Sequence, residues 1–345
     1  MYVTSSDRCA PELKLPEGVQ PLLCCPICQA DLNMAAHELT CTNPACKAVF
    51  PVADGLPVLI NEANSVFSFE DFLAHRNTTF GQMSKVMEVI SEHLPWLTAN
   101  YKAKQNYRRL AELLLQNSAN PKVLVIGGSI MGAGMEALAR HPGIQLIESD
   151  VSHGPRTALI ADAHDLPFKE GSLDGVVIQA VLNCVVDPYR CVDQIHRVLK
   201  DDGLVYAETS FMQPVLDGRY DFTRFTYLGY RRLFRKFQDI DSGAVGGPGM
   251  AMALIYRALL LSFARGKIAR TAASTFARLT AFWLKYLDYF LVDRPAALDA
   301  TSGCYFLGRK SQTVLSDHEL MKLYRGNLPK IGEDIAKVSQ EGSAL

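Results

Sequence analysis

The sequence predicts an α/β fold, a Rossmann-like sheet with helices on both faces, and three features of residues 121–211 carry that prediction. An apolar strand, Val123–Ile126, runs into a glycine-rich turn at Gly127, Gly128, Gly132 and Gly134. A helix is expected over 133–141. A second strand then ends in an acid, Asp150. Glycines let the backbone approach a ligand closely, and a helix N-terminus offers unpaired N–H groups. An acid closing the second strand is placed to accept hydrogen bonds from ribose hydroxyls. The segment therefore predicts an adenosine-type ligand.

Upstream, five of the nine cysteines fall between Cys24 and Cys46, and four of them have metal-ligand spacing. Cys25-Pro-Ile-Cys28 and Cys41-Thr-Asn-Pro-Ala-Cys46 form two knuckles with twelve residues between them. Two short Cys pairs on facing turns deliver four thiolates to one tetrahedral ion, which predicts a zinc ribbon over 20–61 with structural Zn2+. A module this small buries little apolar surface, so the metal supplies much of its folding free energy. Disulfides are the alternative, and a reducing cytosol disfavours them. Cys24 is read as a spectator. With four thiolates and no His, the ion has no labile water position, so the role is structural or partner-docking.

Residues 62–99 read as a linker with short helices, Ser68 to His75 and Gln82 to His93, the second ended by Pro95. Asn100 to Gln116 carries Tyr107, Leu110, Leu113 and Leu114 at roughly helical spacing. It is expected to pack beside the first strand and cover the ligand.

Past Asp150 come Ala161-Asp162-Ala163-His164-Asp165-Leu166-Pro167-Phe168, Gly171-Ser172-Leu173-Asp174-Gly175-Val176-Val177 and Ile195-His196-Arg197-Val198-Leu199-Lys200-Asp201-Asp202-Gly203. With the glycine turn, these motifs in this order resemble the class I S-adenosylmethionine-dependent methyltransferases over about residues 100–310. The resemblance implies a seven-stranded sheet, a domain over 100–312, and S-adenosylmethionine as cofactor. It places Gly127, Gly128, Ser129 and Gly132 under the methionine end, and Asp150 with Val151 at the ribose. Asp162 and Ala163 would border the adenine, and Gln179 completes the cofactor set. Three departures stand out. Val125 occupies a place usually held by an acid, Ser129, Ile130 and Met131 lengthen the loop, and Asn183-Cys184 replaces a frequent Glu-His. The cysteine region, with Ala48 to Ile60 following it, resembles the small zinc-ribbon proteins that activate certain methyltransferases, here fused to the enzyme.

The fifth strand, Leu204–Thr209, leads to a segment expected to read the substrate. Tyr220-Asp221-Phe222-Thr223-Arg224-Phe225-Thr226 precedes a helix from Leu228 to Phe237, with Thr226 as its N-cap. Arg224 could pair with Asp221 or clamp a substrate carboxylate or phosphate, and Asn183 is the second substrate-binding candidate. Arg231, Arg232, Arg235 and Lys236 give that helix a cationic side. A methyl acceptor hydroxyl needs a base, for which Glu208, Asp221 and Tyr220 are the catalytic candidates, with His153 beside them. His196 reads as a packing residue and His164 as a support for the adenine loop. A sixth strand, Phe237–Ile240, is separated from the last one, Gly303–Arg309, by a helical insertion over about 243–302. Its two expected helices, 250–264 and 273–292, are apolar and aromatic. They read as a cap over the active site, with a dimer interface or peripheral membrane contact as alternatives. Residues 313–345 form a C-terminal tail.

Composition sets the outer limits. A chain of 345 residues suggests about two domains. The net charge of −1 and a pI near 6.7 argue against a nucleic-acid partner, whose phosphates demand a basic excess. No leader or bilayer-length apolar run is visible, so a cytoplasmic location is expected. The reading is O-methylation of a small molecule, glycan or lipid-linked acceptor by a protein that could also self-associate. RNA or protein methylation and a non-catalytic cofactor-binding partner are the alternatives.

Overall fold

The computed structural model describes residues 13–34, 38–74, 94–216 and 218–327. The ribbon supplies β1 (Leu32–Met34), β2 (Glu38–Cys41), β3 (Val49–Ala53) and β4 (Leu56–Leu59). After α1 (Phe69–Leu73) and α2 (Ala103–Asn117) come β5 (Lys122–Ile126), α3 (Glu136–Ala139), β6 (Gln145–Asp150), β7 (Leu159–Ala161) and β8 (Leu173–Gln179). Then follow α4 (Pro188–Val198), β9 (Leu199–Ser210), α5 (Tyr227–Leu233) and β10 (Phe237–Gly246). Four insertion helices come next, α6 (Pro248–Phe263), α7 (Gly266–Ala281), α8 (Leu284–Leu291) and α9 (Pro295–Asp299). The described chain closes with β11 (Gly303–Lys310) and α10 (Asp317–Lys322).

The α/β sheet runs β7-β6-β5-β8-β9-β11-β10, parallel except for β11. It does not stop at seven strands. β4 pairs in parallel with β7, Val58 opposite Ile160 and Leu59 opposite Ala161, so the ribbon prolongs it to eleven. An exposed β7 would present a row of unpaired backbone groups, and β4 covers that edge. Leu23, Cys25, Leu39 and Phe50 of the ribbon share one apolar cluster with Leu124, Ile147 and Phe168 of the sheet. Tyr107, Leu110 and Leu114 of α2 pack on Val123, Val177 and Tyr206 on the other face.

Two expected helices differ. The helix after the glycine turn shrinks to Glu136–Ala139 because Gly134 sits at φ +83°, outside helical dihedrals, and Pro142 follows closely. The second insertion helix spans 266–291 in two pieces, α7 and α8. The insertion is anchored by Asp288, fully buried, whose carboxylate accepts from Gly249 N and Met250 N at 2.8 Å each. An acid there satisfies orphan N–H groups at the start of α6 and complements its dipole. The first expected linker helix is α1, opened by Ser68 and Asp71 as a capping box, whereas Gln82 to His93 lies outside the described residues.

Candidate active site

The carboxyl ends of β5, β6, β7 and β8 surround a cavity of about 490 Å³, within the roughly 300–1,000 Å³ usual for small-molecule sites. Gly127, Ser129, Gly132, Asp150, Val151, Asp162, Ala163 and Gln179 all line it. Gly128 does not. A Cβ on Gly128 would lie 3.2 Å from Glu148 and Val125, so this glycine serves packing on the sheet side. At Gly127 (φ +77°) a Cβ would meet Val181 at 2.4 Å, so both conformation and space require glycine.

The glycine loop spends its own donors internally. Gly127 N and Gly128 N both donate to Ser149 O at 2.9 Å, and Ser129 N donates to Asp150 Oδ2 at 3.0 Å. Asp150 Oδ1 accepts from Ser152 Oγ at 2.7 Å. Each carboxylate oxygen has further acceptor capacity for a ligand hydroxyl. Asp150 thus holds the lengthened loop and faces the cleft with the same group. The four-residue α3 is too short for the helix N-terminus expected there.

Asp162 is buried and held from two directions. Its Oδ1 accepts from His164 N at 3.0 Å and lies 2.6 Å from His164 Nδ1, while its Oδ2 accepts from Ser65 Oγ at 2.5 Å. Asp187 N donates to His164 Nε2 at 3.0 Å, so Nδ1 carries the ring proton and donates to Asp162. Burial raises the Asp162 pKa, but the His164 and Ser65 bonds outweigh it and hold the carboxyl below its usual range. His164 therefore holds the Asp162 carboxylate in place within the loop that follows β7.

Glu208 lines the inner wall and is buried. It accepts from Gln179 Nε2 and Asn100 Nδ2 at 2.8 Å each, and from the Tyr206 hydroxyl. Burial nevertheless pushes its carboxyl above the ordinary carboxylate range. Ala180, between Gln179 and Val181 in the same wall, sits at φ +57°, an uncommon conformation for a residue with a Cβ.

The other predicted residues divide. Tyr220 lines the cleft, but Asp221, Arg224 and Asn183 do not. Arg224 grips Asp221 with both guanidinium nitrogens, one at 2.6 Å, and donates to Pro214 O at 3.1 Å. Burial raises the Asp221 pKa, and Arg224 overrides it and holds the carboxyl low. Asn183 O accepts from Phe222 N at 2.8 Å and Thr223 N at 3.1 Å. These three fasten the 213–226 segment in place and leave Tyr220 at its inner edge. His153 contacts Phe72 O at 3.0 Å, and His196 packs edge-on against Phe237, both outside the cleft.

The cations of α5 and of the turn after it are also occupied. Arg231 is 1% exposed and lies over Phe306, Arg235 pairs with Asp317, and Lys236 with Asp193. Thr226 caps the helix through Gly229 N at 3.2 Å. No residue of the insertion lines the cleft, so the expected cap comes from elsewhere. It comes from the supposed linker. Val66 and Phe67 line the cavity, and the Phe67 ring lies 5.8 Å from that of Tyr220. Asn61 and Asn64 both donate to Asp165 Oδ2 at 3.0 Å, next to the Ser65–Asp162 bond. α2 lines nothing itself and reaches the cleft through Tyr107, whose hydroxyl donates to Gln179 Oε1 at 3.1 Å.

In the ribbon, one sulfur of each of Cys25, Cys28, Cys41 and Cys46 lies within 4.8 Å of the others. Cys28 and Cys41 are 3.4 Å apart, and Cys25 and Cys46 3.9 Å. A tetrahedral ion with Zn–S bonds near 2.3 Å places its ligands about 3.8 Å apart, so the four residues fit such a site. Cys24 is buried outside this cluster.

Residues 128–207 match a family model described as a methyltransferase domain. A demethylmenaquinone methyltransferase of Lysinibacillus sphaericus is 28% identical over 180 residues, 51% of this chain and 62% of the relative. The mitochondrial arginine-hydroxylase NDUFAF5 of Mus musculus is 39% identical over 67 residues, 19% of either chain. The chain thus spans less than two thirds of each of these relatives. Among solved structures, phosphoethanolamine N-methyltransferase 2 of Haemonchus contortus with S-adenosyl-L-methionine is 19% identical. It covers 72% of this chain and 61% of that one, with a TM-score of 0.40.

Proposed function

We propose that this chain, which belongs to the class I S-adenosylmethionine-dependent methyltransferases through its methyltransferase domain, methylates an oxygen of a small, largely apolar acceptor. The observation that carries the reading is the division of the cleft. Asp150 and Asp162 stand at the ends of β6 and β7, while Val66, Phe67, Ile130, Met131, Val181 and Val185 make the rest of the wall largely apolar. The resemblance to a demethylmenaquinone methyltransferase over 180 residues supports the apolar body of the acceptor, not the choice of oxygen. A lipid-linked acceptor with an apolar body suits the same wall, and a glycan acceptor suits it less.

When bound, S-adenosylmethionine supplies a methyl already activated on a sulfonium. The protein has to align the acceptor and take its proton. Asp150 would accept hydrogen bonds from the ribose hydroxyls, and Asp162 and Ala163 would border the base. Phe67 and Tyr220 close the mouth against water. Glu208 takes the proton, because burial raises its proton affinity and Gln179 holds it toward the cleft. Glu208→Gln should lower kcat at least tenfold and remove the acid limb of the pH–rate profile, with cofactor affinity within a few-fold. An unchanged pH profile would remove Glu208 from the chemistry. Zn2+ fits the four ribbon thiolates in a structural role.

The decisive experiment is calorimetric titration with S-adenosylmethionine and S-adenosylhomocysteine, followed by S-adenosylhomocysteine production with quinol, phenol and polyprenol-linked acceptors. Micromolar binding of both ligands, with turnover on at least one acceptor, is the expected result. Binding without turnover on any of them would favour a non-catalytic partner protein, and no binding would end the reading.

A further inference from the structure

The insertion helices carry the largest feature that this reading leaves unused. α6 and α7 are joined by Ala264 and Arg265, and the corner between them holds Phe263 at 80% and Ile268 at 88% exposure. Such values are unusual for large apolar side chains, and here they do not stand alone. Met252, Ile255 and Leu259 extend the exposed row up α6 from Phe263. Along α7 and α8, Phe276, Leu279, Trp283, Tyr286 and Phe290 follow at i, i+3, i+7, i+10 and i+14, each more than half exposed. Phe282 and Trp283, which join the two helices, keep helical dihedrals, so the stripe continues in phase.

The charge around it has one sign. Residues 242–287 contain Arg257, Arg265, Lys267, Arg270, Arg278 and Lys285 and no Asp or Glu, in a chain whose net charge is −1. Arg257 is spent on Ser274, and Arg278 and Lys285 on backbone carbonyls of residues 94–96. Arg265, Lys267 and Arg270 are exposed at the corner beside Phe263 and Ile268, with no ion pair among the described residues. A self-complementary protein interface would have to bring these cations against their own copies. An anionic lipid surface neutralises them and receives the apolar side chains between them. Trp and Tyr on the same stripe suit the interfacial zone, where one end of the side chain is wet and the other apolar. No described helix is long and apolar enough to cross a membrane, so this contact lies on the surface.

We propose that the α6–α7 corner and the α7–α8 stripe form a docking surface for an anionic lipid membrane, with Phe263 and Ile268 inserting and Arg265, Lys267 and Arg270 meeting lipid headgroups. The placement is apt. β10 and β9 run in the same direction, and both Gly246 and Ser210 pair with Gly303, so α6 leaves the sheet at the edge that also bears the cleft. The exposed corner side chains make few contacts, so replacing them leaves the core alone.

The test is co-sedimentation of the full chain with vesicles of phosphatidylcholine alone and of phosphatidylcholine mixed with phosphatidylglycerol, at low and high salt. Binding should be at least roughly tenfold tighter to the mixed vesicles and weaken as salt rises. Phe263→Ser with Ile268→Ser should lower partitioning by about tenfold, and so should Arg265→Gln with Lys267→Gln and Arg270→Gln. Both variants should titrate S-adenosylhomocysteine like the parent, which separates this result from the fate of the methyl-transfer reading. Equal or absent binding to the two vesicle types would overturn the proposal. So would a parent dimer in sedimentation velocity that the Phe263 and Ile268 changes convert to monomer without altering vesicle binding.

Discussion

Asp150→Ala should weaken the binding of S-adenosylmethionine and S-adenosylhomocysteine alike by more than about a hundredfold. A hydrogen bond to a charged group contributes about 1.5–3 kcal/mol, and the carboxylate would offer two to the ribose. The loss has a second source, because Asp150 also accepts from Ser129 N and Ser152 Oγ. Removing it frees the loop segment 129–131, which carries Ser129, Ile130 and Met131 along the cleft wall. Asp150→Asn separates the two contributions. The amide oxygen can still take Ser129 N–H, but the charge is gone and one acceptor becomes a donor. An intermediate loss, of about tenfold, is therefore expected for Asn. Calorimetry gives both affinities, and thermal melting checks that the fold survives. An Ala variant that binds as tightly as the parent would remove the ribose contact from Asp150.

How far the site could be read from the chain depended on how local its determinants are. Asp150 ends β6 and Asp162 directly follows the apolar β7, and a strand end marked by an acid is a pattern of a few residues. Gly127 was legible for the same reason, since its positive φ is a property of one turn. Gly128 and Asn183 sit beside such positions in sequence, yet face the sheet and the 213–226 segment instead. One residue's difference along a strand end reverses which side a group faces. Of the two roles open to Arg224, the pairing with Asp221 is the one the structure shows, so these residues satisfy each other rather than a ligand. Arg231 read as part of a cationic side of its helix and is instead buried against Phe306.

The long-range features left no local trace. Nothing in Leu56–Leu59 announces a parallel partner in β7, a hundred residues on in the chain. Nothing in Ser65, Val66 and Phe67 marks them as the cover of a cavity whose other walls lie beyond residue 125. The insertion was legible as apolar and aromatic, but which side chains face outward depends on the phase fixed where Asp288 holds the start of α6. What composition could not show is that this apolar surface stays outside the core.

The joining of β4 to β7 leads to the second large effect, which concerns the metal. Stripping the ribbon of zinc with a strong chelator, or replacing Cys28 with Ser, should unfold β1 to β3 and reduce cofactor binding, although no cysteine of the cluster lines the cleft. The ribbon strands are three to five residues long, too short to stand on their own hydrogen bonds. Structural zinc contributes on the order of 10 kcal/mol to such modules, so its loss should release Leu39 and Phe50 from the shared apolar cluster. β4 then loses β3, and the segment that begins at its end carries Asn61, Asn64 and Ser65 away from Asp165 and Asp162. Asp162 would keep only its His164 bonds, and Phe67 would no longer close the mouth opposite Tyr220. Metal analysis of the parent should give one zinc per chain. The Cys28→Ser protein should contain less, melt several degrees lower, and bind S-adenosylhomocysteine at least about tenfold more weakly. Ser65→Ala keeps the ribbon and removes one hydrogen bond to Asp162, so it should reproduce a small part of the affinity loss with no change in zinc content. A native protein without metal would refute the zinc assignment itself. A fully loaded parent whose chelated form melts and binds unchanged would instead sever the ribbon from the cleft.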